Sequence, residues 1–447
     1  MKHDTNYTIV GGGLAGALMA CYLGKAGHEV NVYERRPDLR GGKAPAGKSI
    51  NLAISERGIA ALRRIGLAER VLDRAVPMRG RMIHSPEGRL SFQPYSKNPN
   101  DAINSVSRGG LNAILLEKAD SYPNVTLHYE HKCIDVDLDA AKAQFEVGTK
   151  GELVTAEGDV IVGADGAFSA VRAKMQHLDR FDFRQDYLRH GYKELVIPPG
   201  EHGTHRIEKN ALHIWPRRSY MMIALPNEDG SFTCTLFWPF DGPHSFAAVE
   251  ANGNALGYFK THFQDAVPVM PTLAEDYARN PTNSLVTVRC GPWNYKDKAV
   301  LVGDAAHAVV PFYGQGMNAA FGDCIALDEC LAAGGADRAD ALAEYYRQRK
   351  THIDALADLA IGNFVEMRDH AGSPGFRFKK WRERTLHTLL PGWYTPLYNM
   401  ISFSQVPYGD ALKRARRQDR IVRWVCGAAA LIVAVVVLWI LLTRFIG

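Results

Sequence analysis

Three short runs in this chain join glycines to a single carboxylate at the end of an apolar stretch. They are GGGLAG at 11–16, answered by Glu34 on the next apolar run, VGADGAFSAVR at 162–172, and LVGDAAHAVVPFYGQGMN at 301–318. In the first, Gly11 allows a tight turn, Gly13 lets a pyrophosphate approach the backbone, and Gly16 lets a helix pack on its strand. Glu34 then stands where it can accept from an adenosine ribose hydroxyl. In the second, Asp165 can cap the following helix while standing beside the same pyrophosphate. In the third, Asp304 can accept from a chain hydroxyl of the ligand. The N–H groups of Gly316, Met317 and Asn318 open a helix and can face a ring carbonyl that gains charge on reduction. The chemistry implied is redox work on a ligand with a pyrophosphate, hydroxyls and an electron-accepting ring. The position of this G-x-G-x-x-G at the N-terminus favours bound FAD over a nicotinamide only by its likeness to flavoproteins, since the motif's geometry serves either dinucleotide.

Other polar residues sit where they need a partner. Arg108 falls at a helix start, against the helix dipole, which a bound anion would explain. Arg81 and Tyr95 lie in a hairpin-like segment; spacing alone reads them equally as a strand-surface charge and an interface aromatic. Asn363 lies beside the buried stripe of a long helix, where an amide must find a partner or a ligand, and Tyr398 lies in an aromatic loop. Phe237 and Met222 are candidates for the wall of an aromatic pocket. His128 and His131 read as satisfied surface histidines. The sixteen histidines form no metal-ligand set, so no metal is expected.

The elements that position these residues follow from periodicity. Strand–turn–helix patterns at 7–26 and 160–172 and a strand at 29–34 make a βαβ-type frame, which the buried strand 299–302 joins. Residues 35–48 form a basic, Gly-rich loop before a strand at 49–55 and a helix at 56–66, and 78–94 reads as a β-hairpin around Pro86-Glu87-Gly88. Strands are expected at 125–128 and 132–137. From 181 to 290, β-branched and aromatic runs punctuated by Pro, Gly and Asn predict an antiparallel sheet. A helix to about 333 and a long one over 340–370 follow, the latter with Ile353, Leu356, Ala360, Phe364 and Met367 as its buried stripe. The segment 379–390 is amphipathic. The expected fold is α/β: a Rossmann-like dinucleotide-binding domain with an inserted antiparallel substrate domain, C-terminal helices and a transmembrane helix. Its divisions are 1–75, 103–178 and 291–370 for the cofactor domain, 76–102 and 179–290 for the substrate domain, then 371–423 and 424–443.

At 447 residues the chain has room for two domains, and 46% apolar with 23% charged residues is ordinary globular composition. The net charge of +5 is concentrated in Lys413, Arg414, Arg416, Arg417, Arg420 and Arg423, so nucleic acid is not implied. Seven scattered cysteines without a C-x-x-C pair argue for reduced thiols. An apolar strand begins by Tyr7 without a basic leader, so no secretory signal is expected. Residues 424–443 carry no charge and span ~30 Å as a helix, the thickness of a bilayer core. The basic cluster before them predicts a single-pass anchor with the catalytic domains on the cytoplasmic side, in a bacterial inner or a mitochondrial outer membrane.

Taken together, GGGLAG with Glu34, VGADGAFSAVR and LVGDAAHAVVPFYGQGMN resemble the FAD fingerprints of the group A aromatic flavoprotein monooxygenases. KSINLAIS, the segment 77–85, SVSR, HGYKEL, LHIWPR, MMIALPN, SFTCTLFWPF and FVEMRDH narrow the likeness to the kynurenine-hydroxylating branch, over roughly 7–408. The resemblance implies L-kynurenine hydroxylated with NADPH and O2, the oxygenated flavin carrying the chemistry, so that no catalytic side-chain base is required. It implies substrate contacts at Arg81, Tyr95, Asn363 and Tyr398. It implies FAD contacts at Ala15, Tyr33, Glu34, Arg35, Arg36, Ala53, Arg108, Cys133, Asp304, Met317 and Asn318. One dinucleotide fold is visible, so NADPH is expected to dock transiently at the surface; an oligomer is permitted. A hydroxylase for another aromatic carboxylate and a membrane-tethered flavin-binding scaffold remain open alternatives.

Overall fold

A computed structural model of the chain describes residues 5–38, 40, 51–96, 98, 100–149, 151–334, 337–370 and 373–446. Most of the 35–48 loop and the first two residues of the expected 49–55 strand lie outside them. The frame is a six-stranded sheet in the order Asn294–Tyr295, Ala299–Leu301, Val160–Gly163, Asn6–Val10, Glu29–Glu34, Val125–Tyr129. All its pairs are parallel except the short Asn294–Tyr295 edge. Strands such as Val160–Gly163 are apolar on both faces because helices cover both. The helix Leu14–Ala26 is apolar nearly all round, fitting its place between strands and other helices, and ends at Gly27, whose φ of 90° suits a residue without Cβ.

Against this frame stands a seven-stranded sheet ordered Asn283–Gly291, Asp182–Ile197, Phe232–Pro239, Met221–Pro226, Ala211–Pro216, Gly80–His84, Leu90–Pro94. The expected 78–94 hairpin is present as Gly80–His84 against Leu90–Pro94, but Val76–Met78 leaves it to pair with Ile103–Ser107 in a separate three-stranded sheet. The sheet is not wholly antiparallel: Gly80–His84 joins Ala211–Pro216 in parallel, which lets a distant hairpin extend the inserted strands.

Helix Gly316–Ala333 packs between Leu14–Ala26 and the long helix Arg338–Val365, which passes into a π-turn over Glu366–His370. That turn shortens the helix expected to reach 370; such turns often mark functional places. The final helix, Tyr408–Ile446, is packed at its base and fully exposed in its apolar part. It is long and apolar enough to cross a membrane. Its base is fastened: Arg57 lies 4.2 Å over the Tyr408 ring and donates to the carbonyls of Ile401, Gln405 and Val406.

Candidate active site

A cavity of ≈ 450 Å³ runs between the carboxyl ends of the parallel strands and the seven-stranded sheet. At its first end the three glycine-carboxylate turns meet. Gly11 has φ 103° and its N–H donates to the Tyr33 carbonyl at 2.8 Å; a Cβ there would lie 2.6 Å from the Ala164 carbonyl oxygen. A Cβ on Gly16 would lie 1.9 Å from the Gly11 carbonyl oxygen, so helix and turn touch backbone to backbone. A Cβ on Gly13 would meet nothing within 4 Å: this position faces the cavity. Glu34 accepts from the Gly12 N–H (2.9 Å) and the Arg36 N–H (2.9 Å) while still lining the cavity with Arg35 and Arg36. The Tyr33 ring is clasped between His128 (4.4 Å) and Phe145 (4.3 Å), so what it offers the cavity is near its backbone. His128 and His131 are thus not surface histidines. Both are half-buried against Tyr33, and His131 lines the cavity.

Asp165 caps the helix after its turn, Oδ2 accepting from the Ala170 N–H at 2.6 Å, while its Oδ1 is buried with no partner. Burial raises its pKa. Arg172, which sequence reasoning passed over, ties the second turn to the third: it donates to the carbonyls of Ala167 (2.5 Å) and Ala305 (2.8 Å). A cation closing the VGADGAFSAVR run was the available signal. Asp304 opens onto the cavity opposite Arg108. Burial raises its carboxyl pKa, and the Arg108 charge opposes that rise. Arg108 opens the helix Arg108–Asp120, whose cap Ser107 accepts from Gly110. Cys133 lies at a bulge opposite Phe145, where burial pushes its thiol up to about 12.

Helix Gly316–Ala333 makes its first intrahelical bond from the Ala319 N–H to the Gln315 carbonyl, leaving the three N–H groups before it for a ligand. The Asn318 side chain points elsewhere: Nδ2 donates to the Ala53 and Gly314 carbonyls and Oδ1 accepts from the Ser55 N–H, clamping the helix to the strand Asn51–Ile54. Beneath the third turn, the buried Asp323 accepts from the Gly303 N–H (3.2 Å), His307 Nε2 (2.5 Å) and Arg349 Nε (2.8 Å). Gln315, just before the helix, accepts from the Tyr408 hydroxyl at 3.1 Å.

The second end is made of side chains. Arg81 is buried, its guanidinium 5.0 Å from the Tyr398 ring and 5.9 Å from the Tyr95 ring, and its Nε has no partner. Among the described residues no carboxylate lies within ion-pair distance of it. Burial pulls its pKa down, but Tyr398, Tyr95 and then Glu366 outweigh that and leave it above its ordinary value. Tyr95 and Tyr398 stack at 5.1 Å. The wall beside them is set by strand alternation: Leu212, Ile223, Leu225, Thr235 and Phe237 face the cavity. Met222 belongs to the opposite parity and is buried in the sheet's own core, so of the two wall candidates only Phe237 lines the cavity. Asn363 does not line it either. Its amide donates to the Phe312 carbonyl at 2.6 Å and so fastens the Pro311–Tyr313 turn, whose three residues do.

FAD fits this arrangement: Asp165 with an orphaned carboxylate oxygen, Gly13 with its Cβ-free approach, and the helix-start residues Gly316 and Met317 with free N–H groups all line one cavity. A parallel dinucleotide-type sheet, a second sheet and a shared cavity define an FAD-dependent oxygenase of the aromatic hydroxylase kind. The family model described as "FAD binding domain" matches residues 4–187 and 285–360. Solved structures with the same fold include 2-methyl-3-hydroxypyridine-5-carboxylic acid oxygenase (TM-score 0.67, 20% identity, covering 86% of this chain and 98% of that one). Another is p-nitrophenol 4-monooxygenase from Pseudomonas putida (TM-score 0.68, 21% identity, 87% and 94%). Much nearer in sequence are kynurenine 3-monooxygenases from Salinispora arenicola (47% identity over 93% of this chain and 91% of the relative) and Dictyostelium discoideum (48%, 91% and 90%). The chain belongs to the kynurenine 3-monooxygenase family.

Proposed function

We propose that this protein converts L-kynurenine to 3-hydroxy-L-kynurenine with bound FAD, NADPH and O2. The observation that carries the reading is Arg81, a buried cation with an unsatisfied Nε and no carboxylate partner among the described residues, in the cavity that the three glycine turns share. Relatives at 42–48% identity named for kynurenine 3-hydroxylation support the substrate.

When bound, FAD supplies the reduction of O2 and the delivery of one oxygen atom. Arg81 clasps the amino-acid carboxylate with two N–H groups, and the Tyr95 and Tyr398 hydroxyls complete the grip. Ile223, Leu225, Phe237 and Phe312 flank the aromatic ring and exclude water. Asn363 serves the same end by holding the turn that carries Phe312 and Tyr313. Glu34 would take the adenosine ribose, Arg108 and Asp165 would hold the pyrophosphate, and Asp304 would take a ribityl hydroxyl. The free N–H groups at Gly316 and Met317 would serve the ring carbonyl. Ala15, Tyr33, Arg35, Arg36, Ala53 and Cys133 line the remaining nucleotide path. No side chain acts as base, because the substrate's own amine supplies the electron push.

Residues 424–443 are assigned to a membrane anchor that holds the enzyme on the cytoplasmic face, on the strength of their uncharged length and the basic residues before them. The deciding assay follows NADPH oxidation and hydroxylated product together across a panel of aromatic carboxylates. Product from kynurenine above all others is expected; turnover of a different acid in its place overturns the substrate.

A further inference from the structure

The helix Pro374–Leu389 is amphipathic, yet its apolar face is turned outward. Phe378 (63% exposed), Trp381 (55%) and Leu389 (70%) recur at helical spacing on one side, and Leu390 and Trp393 continue the patch past the helix end. Phe378 and Trp381 stack at 5.6 Å, and Leu389, Leu390 and Trp393 lie exposed further along the same segment. Exposed aromatic residues gathered in this way mark an interaction site.

The place of the patch says what covers it. Gln418 donates to the Trp393 carbonyl at 2.6 Å, and Arg382 lies 4.0 Å from Asp419. Gln418 and Asp419 stand in the terminal helix about 7–9 Å along its axis before Trp424, where the uncharged span begins. The same stretch exposes Lys413, Arg414, Arg416, Arg417, Arg420 and Arg423. An apolar face rich in tryptophan, level with a ring of arginines and joined to a spanning helix, matches the headgroup region of an anionic bilayer in position and in charge.

We propose that the Phe378–Trp393 face is a second, interfacial membrane contact, lying in the headgroups of an anionic lipid surface and fixing the enzyme's tilt on it. The contact rests on the reading of 424–443 as an anchor, and the test separates the two.

Full-length holoenzyme carrying Cys426→Ser, which removes the exposed thiol, receives a polarity-sensitive thiol probe at Leu389→Cys or at Val435→Cys, both exposed positions. Flavin content checks that each variant is folded. The proteins are reconstituted in phosphatidylcholine vesicles with and without phosphatidylglycerol, using lipids that carry a nitroxide in the headgroup or mid-chain. The expected result is a blue-shifted Leu389 probe, quenched most by headgroup nitroxides and less without phosphatidylglycerol, with the Val435 probe quenched from mid-chain. Quenching at Val435 with a solvent-like Leu389 probe overturns the contact and leaves the anchor standing. Quenching at neither position overturns the anchor and the contact together. A blue-shifted Leu389 probe that no lipid quencher reaches assigns the face to a second copy or another protein, and overturns the lipid assignment.

Discussion

The cavity has two ends built by different means. Its nucleotide end is main chain: Gly11, Gly16 and Ala164 approach one another so closely that a side chain on either glycine has no room, and the start of the 316–333 helix adds backbone N–H groups. Its substrate end is side chain: Arg81, Tyr95 and Tyr398 arrive from segments that meet only in the folded protein, and apolar residues from alternate positions on neighbouring strands close the wall. The first end sets shape and, at Gly11 and Gly16, tolerates almost no added volume. The second sets chemistry and tolerates changes of size while losing recognition.

Gly16→Ala presses hardest on that contrast. A methyl 1.9 Å from a carbonyl oxygen moves backbone rather than a side chain. The purified protein is therefore expected without flavin and with a collapsed melting transition; a yellow protein with the parent Tm would erase the distinction. Asp323→Ala follows, removing the one carboxylate that Gly303, His307 and Arg349 share and leaving a buried guanidinium uncompensated. Loss of ~3–5 kcal/mol in denaturant unfolding is expected. Burial alone would raise the Asp323 pKa, but His307 and Arg349 outweigh it and hold it below the usual carboxylate value. Its stabilisation is thus complete above about pH 4, where the unfolded carboxylate is ionised, and is lost as pH falls through the depressed folded value. The Ala variant should show a shallower acid limb in unfolding free energy.

Arg81→Ala tests the other end. It is expected to raise KM for kynurenine by ~2–5 kcal/mol in binding while flavin content and Tm stay near the parent. A variant that loses flavin instead would mean that the two ends are not separable. The smallest effect belongs to Tyr95→Phe, which deletes one hydroxyl and keeps the stacked ring: ~1 kcal/mol in kcat/KM, read from steady-state kinetics.

The same contrast explains what could be read from the chain unaided. Gly11, Gly13, Gly16, Glu34, Asp165 and Asp304 were legible because a turn at a strand end is local, and its residues are neighbours in sequence. The wall was legible only as a sheet. Whether Met222 or Ile223 faces the cavity is a matter of strand parity, which pairing with Phe232–Pro239 decides and composition does not. Asn363 and Asn318 were recognisable as amides in need of partners. That their partners are the carbonyls of Phe312, Ala53 and Gly314 follows from contacts between segments far apart in the chain. The parallel pairing of Gly80–His84 with Ala211–Pro216 had no local signal for the same reason.

Gly13 stands apart from its two companions in the motif. Neither sterics nor backbone angle in the protein itself demands glycine there, since the vacant direction opens onto the cavity alone. Alanine at 13 should therefore give a folded apoprotein with the parent Tm that no longer takes up flavin. At this one residue the architecture can be inherited while the yellow prosthetic group is forfeited.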